Sequence, residues 1–203
     1  MDVLKQLFQA EEPNEKVDEL CSNYARALKA EQESMVPELS PGIVNNSELV
    51  ARILHSPFMC NLEGTELTPK AVDDVFNKGL SVNRLDYIGS DEEVFSSVRT
   101  LEAKWRSNPE NHSKNRAYIG FAVANVGELR SIRDDGDDDR QIVGVYDSAN
   151  PDAAYHADAC IIANMENVNN RYYPSKKALK NDRRIKIVNC FQQDIRQIPK
   201  EST

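Results

Sequence analysis

Glycine is scarce in this chain, at 8 of 203 residues, and neither a GxxxxGK[ST] phosphate loop nor a GxGxxG turn is present. A fold that cradles phosphate on glycine-rich backbone is therefore not expected. Cysteine is equally thin. Cys21, Cys60, Cys160 and Cys190 stand far apart with no CxxC pair, which argues against a zinc ribbon or a disulfide scaffold and suits reduced, mostly buried thiols in a cytosol. The 3 histidines form no HxH or HxxxH pair, so neither a metal site nor a cofactor is expected. No GxSxG elbow occurs, and no cysteine has a histidine close to it in sequence. No apolar run approaches the roughly 20 residues of a membrane span. Met1-Asp2-Val3-Leu4-Lys5 lacks the basic-then-apolar order of a secretory signal. These absences point to a cytoplasmic protein without membrane contact.

What is present reads as one soluble α+β domain with appendages. Hydrophobic residues make up 40% and charged residues 29% of the chain, a globular balance, and its length suffices to bury a core without staples. The net charge of −8 is unevenly spread. Residues 171–200 hold nine Lys or Arg against Asp182 and Asp194, a local +7, and residues 1–170 carry 16 basic and 30 acidic residues, or −14. Lys176, Lys177, Lys180, Arg183, Arg184 and Lys186 are the candidates for contact with nucleic acid or an acidic partner protein. The alternative is a solvated helix face balanced in space by the acidic body.

Periodicity divides the chain into a helical arm (1–36), an α+β core (47–170) and a basic C-terminal segment (171–203) packed on or extending that core. In the arm, Val17, Leu20, Tyr24 and Leu28 fall at helical spacing, and Pro37, Pro41 and Gly42 end the helix. A single amphipathic helix must bury its stripe, either on its own domain or on another chain. Ser47–Phe58 is apolar but ambiguous in type. Thr68, Pro69 and Gly79 frame a helix, and Leu80-Ser81-Val82-Asn83-Arg84 alternates as a strand. Ser90 and Glu93 make a capping box for a second helix, whose buried face runs from Val94 to Trp105. Further strands are expected at Ala117–Ala124, Gln141–Tyr146, Ala157–Ala163 and Ile185–Phe191, with a basic helix starting near Ser175. The architecture expected is a small, mostly antiparallel sheet of four or five strands with the capped helices on one face.

Chemistry has few places to sit. His156 enters a strand flanked by Asp152 and Asp158, where a carboxylate can orient an imidazole as general base. His55 lies in an apolar stretch and reads as core, and His112 lies in a polar loop. Arg84 leaves its strand as a candidate anion clamp, with Ser81 and Asn150 completing an anion or nucleotide pocket. The alternative for Arg84 is structural, bonding to carbonyls or to Asp86. The acidic turn at 134–139 lacks the residue order of a calcium loop.

Three segments together carry a family resemblance: Gly79-Leu80-Ser81-Val82-Asn83-Arg84 after Thr68–Phe76, Tyr118–Val123 with Leu129-Arg130, and Asn150-Pro151 with His156-Ala157. They resemble the GLSV-x-R, GVA…LR and NPAHA-like segments of a group of small uncharacterised bacterial proteins, over roughly residues 48–165. Here Asp152-Ala153-Ala154-Tyr155 is interposed before His156, so the likeness carries no role over to that residue. It implies a fold unit and a bacterial or phage setting, and no reaction.

Three readings follow. The arm and the basic segment suit a non-catalytic interaction subunit of a larger intracellular bacterial assembly, with phage defence as one such setting. His156 as acid/base and Arg84 as clamp suit a small enzyme acting on a nucleotide or RNA phosphate. Residues 171–200 alone suit a nucleic-acid-binding accessory protein.

Overall fold

The ambiguous apolar stretch after Ser47 is a strand. Its β-branched and apolar residues alternate between two faces that are both covered, so it carries none of the polar alternation that would have marked it. The computed structural model describes residues 6, 8, 15–34, 38–136, 139–149, 153–164 and 172–199. In chain order the elements are helices α1 (Lys16–Ser22) and α2 (Tyr24–Ala30), strand β1 (Leu49–Ser56), a 3-10 helix (Pro69–Phe76) and β2 (Leu80–Arg84). There follow the single turn α3 (Leu85–Ile88), α4 (Asp91–Ser107), a short 3-10 turn (Pro109–Asn111), β3 (Ala117–Asn125) and α5 (Val126–Ser131). Strands β4 (Val143–Asp147) and β5 (His156–Ile161), helix α6 (Lys176–Gln192) and β6 (Asp194–Gln197) complete the chain. The strands form one antiparallel sheet in the order β4-β5-β2-β1-β3-β6. The fold is α+β.

Strand alternation sorts the core. Val50 and Leu54 of β1, Leu80 and Val82 of β2, and Ala122 and Ala124 of β3 join the main cluster, which α6 and the 3-10 helix cover with Ile187, Phe191, Val72 and Val75. Ala51, Phe121 and Val123 point the other way, and Val94 and Phe95 of α4 close over them. The 3-10 helix and α4 therefore lie on opposite faces, where the sequence suggested one. Central strands that are apolar on both sides need a cover on each. Only the first half of α4 is buried. Leu101, expected in its apolar face, is 41% exposed, because the helix runs past the strands it covers.

The N-terminal stripe is buried within the chain itself. Leu20 and Ala27 are fully buried in the main core with Val17, while Tyr24 and Leu28 pack at its margin. Asn23 breaks the expected single helix in two, and its side chain caps α2 by accepting from Arg26 N at 3.0 Å. The Lys16 ammonium meets the Asp158 carboxylate at 2.6 Å, and Phe8 packs on Tyr146 with ring centroids 5.1 Å apart. Val17, Leu20, Tyr24 and Leu28, the residues read as a partner-binding stripe, thus pack against the chain's own core.

The expected strand Ile185–Phe191 is part of α6. Leu179, Arg183, Ile187 and Phe191 recur every fourth residue and are all buried, which is helical spacing. The charged Arg183 disguised the stripe. It pairs with the buried Asp134 through bonds of 2.9 and 2.6 Å. At the sheet edge, the Glu31 carboxylate accepts from Val145 N at 2.6 Å and from Arg130 Nε at 2.7 Å. Arg130 in turn donates to the Val145 carbonyl at 2.9 Å.

Candidate functional site

Arg84 is fully buried and internally satisfied. Nε and Nη2 donate to Glu48 at 2.8 Å each, and Nη1 and Nη2 donate to the carbonyls of Gly42 and Ile43 at 2.6 and 2.9 Å. Burial alone would raise the Glu48 pKa, but the hydrogen bonds from Arg84 and Asn45 outweigh it and hold the carboxyl below its ordinary value. The guanidinium ties the 42–48 loop to β2, and its Nη1 also lies 3.7 Å from the buried Asp147 carboxylate, so this arginine is engaged within its own chain. Asn150 lies outside the described residues.

The basic segment is largely paired. Arg183 is buried against Asp134, Arg184 meets Asp73 at 2.6 Å, and Lys186 meets Asp135 and Asp182 at 2.7 and 2.8 Å. Lys180 lies over the Phe76 ring at 4.8 Å. Lys176 and Lys177 stand exposed in the first turn of α6. Asp134, Asp73 and Asp135 of the acidic body thus pair with Arg183, Arg184 and Lys186.

Ser81 and His156 do come together, in a cleft of about 420 Å³ that opens where two neighbouring strands part. The β1–β2 register covers only Val50↔Arg84 and Ala51↔Asn83. Beyond it the Arg52 side chain bridges the gap, donating to the Ser81 carbonyl at 3.1 Å and to Asp74 at 3.1 Å. A bulge in the β1–β3 ladder between Leu54 and His55 re-aims the end of β1, so that His55 stands opposite Tyr118. Arg116 is placed by two rings, 5.5 Å from that of Trp105 and 5.0 Å from that of Tyr118. Leu101, on the overhanging half of α4, closes one side.

The cleft is a cationic locus on an acidic protein. Arg52, Lys78 and Arg116 line it against the single carboxylate of Asp74. Three of its side chains also keep a buried nitrogen without a hydrogen-bond partner: Arg52 Nε, His55 Nδ1 and Arg116 Nε. Orphaned buried donors are uncommon in folded proteins and call for a reason. Burial, and next the charges of Arg116 and Arg52, pull the His55 pKa down to about 4, so its imidazole is neutral at pH 7. Burial likewise draws the Arg52 pKa below its usual value, opposed by Asp74. His156 is held at Nδ1 by the Ser148 hydroxyl at 2.8 Å and the Ser148 carbonyl at 3.2 Å. Its neighbour Asp158, expected to orient it, is engaged by Lys16. Asp152 lies outside the described residues.

Sequence reasoning missed Arg52, Arg116 and the role of His55. The first two sit singly among apolar or polar neighbours, and nothing in local spacing announces that β1 and β2 diverge between them. The one available signal was a charged residue inside the apolar run Leu49–Leu54. Among the described residues no cluster of His, Cys, Asp or Glu could hold a metal ion, and no helix is long and apolar enough to cross a membrane. No family model, curated protein or solved structure matches the chain.

Proposed function

We propose that the protein binds a small ligand through an anionic group, a phosphate or carboxylate, in the cleft between β1 and β2. The observation that carries this reading is the gathering of Arg52, Lys78 and Arg116 around one cleft against the single carboxylate of Asp74, with a buried nitrogen left unpartnered on Arg52, His55 and Arg116. A bound oxyanion meets the cationic side chains that line the cleft, and its charge offsets a surplus that only Asp74 now opposes. The neutral His55 adds one donor or one acceptor without repelling the guanidinium groups. The aromatic clamp on Arg116 fixes the donor before the ligand arrives, which lowers the entropy lost on binding.

Calorimetric titration of the full chain with inorganic phosphate, pyrophosphate and citrate tests this. Binding of at least one, lost in Arg116→Gln and retained in the distant exposed variant Lys177→Gln, supports the site. Absence of binding up to millimolar concentrations of all three would dismiss it. A second reading, a hydrolase or transferase of phosphate esters, is favoured by His156 alone, whose ring is anchored by Ser148 at the same cleft. In that case His156→Ala leaves binding intact and removes turnover. The readings as a partner subunit and as a nucleic-acid binder rest on the N-terminal stripe, which packs against the chain's own core, and on the C-terminal charges, of which Arg183 and Arg184 are paired and Lys176 and Lys177 are exposed.

A further inference from the structure

The cleft is much larger than the anion its cations require. At about 420 Å³ it has the size of a site for an organic ligand, whereas a bare phosphate would occupy only the corner between the guanidinium groups. The remaining lining decides what fills it. One wall is apolar and includes an aromatic face: Leu101, Met59 and Tyr118. The other carries directional polar groups: Ser81, Asn83 and His156, with Val82 between the first two. An acyl chain would satisfy the first wall and desolvate the second without pairing it. A sugar phosphate would satisfy the second and leave Leu101 and Met59 unpacked. A flat ring with hydrogen-bonding edges meets both, since its faces pack on apolar and aromatic side chains while its rim meets amide, hydroxyl and imidazole groups.

From this pairing of walls we infer that the ligand is a nucleoside monophosphate unit, with its phosphate at Arg52 and Arg116 and its base between Leu101 and the Asn83 side of the cleft. The inference rests on the anion-site reading and specifies its ligand. The same chemistry is offered by a free mononucleotide and by the 5′-phosphorylated end of a strand.

The test is competitive titration of the full chain with inorganic phosphate, ribose 5-phosphate, the four ribonucleoside 5′-monophosphates and a 5′-phosphorylated tetranucleotide. At least one mononucleotide should bind roughly tenfold or more tightly than ribose 5-phosphate, the margin that one stacked base provides. Leu101→Ala, an exposed position whose loss leaves the core intact, should remove most of that margin while leaving phosphate affinity unchanged. Arg116→Gln should weaken every phosphorylated probe alike. If nucleotides bind no better than ribose 5-phosphate while phosphate still binds, the nucleotide inference falls and the anion site stands. If no phosphorylated probe binds, both fall. A tetranucleotide that matches or exceeds the free nucleotide identifies a strand end as the source, and one that binds far more weakly identifies the free molecule.

Discussion

At the scale of single residues, the fold spends its strongest charges on its own cohesion. Arg84 and Glu48 are both buried and face each other, so removing one leaves the other desolvated and alone. Arg84→Met should cost about 3–5 kcal/mol, seen as a fall in Tm of roughly 10 °C or more, and adding Glu48→Gln should recover part of it. An unchanged Tm in Arg84→Met would remove the structural role assigned here. His55 makes a second prediction at this scale. Its folded pKa, near 4, lies below the ordinary 6.5, so between these values the folded protein holds fewer protons than the unfolded chain. Stability is then complete above pH 6.5 and declines as pH falls toward 4. Glu48, depressed below its ordinary 4.5, adds a further loss in more acid solution. His55→Gln should flatten the Tm profile between pH 4 and 6.5, and a profile that keeps its slope would place the titrating group elsewhere.

At the scale of elements, the test of packing lies in positions where no larger side chain fits. Gly120 has φ +152°, and a Cβ there would come within 2.0 Å of the Arg196 carbonyl. Gly120→Ala should force β6 away from β3, and hydrogen exchange of the Phe121 and Ile195 amides should rise well before that of β2 and β5. Uniform protection in the variant would show that β6 tolerates the displacement. Local signals were sufficient where chemistry is local. The Ser90 cap and the alternation of Leu80–Arg84 form as read, with Ser90 Oγ accepting from Glu93 N at 3.4 Å. They failed where meaning depends on distant partners. Arg183 reads as surface charge until Asp134 is seen beside it, and Ile185–Phe191 reads as a strand until the fourfold spacing from Leu179 is followed through that arginine. The cleft is the extreme case, because its shape comes from two strands parting and a helix overrunning the sheet, neither of which any short window encodes.

At the scale of the whole molecule, the appendages are part of the body. With Val17, Leu20 and Ala27 in the main core, deletion of residues 1–34 should abolish cooperative unfolding rather than release an intact domain. A truncated chain that melts sharply near the parent Tm would restore the idea of a separable arm. The sheet itself ends on each side in a way that limits what can be added to it. On β4, side chains of Glu31 and Arg130 occupy both the N–H and the carbonyl of Val145. The opposite edge, β6, is only four residues long, with Arg196 held between Asp194 and Asp91. An incoming strand would therefore have to strip a carboxylate and a guanidinium from one border, or settle for a few charged residues at the other. The molecule carries its own guard against polymerising edge to edge: at high concentration it should resist fibril growth as long as the Glu31–Arg130 clasp stays closed.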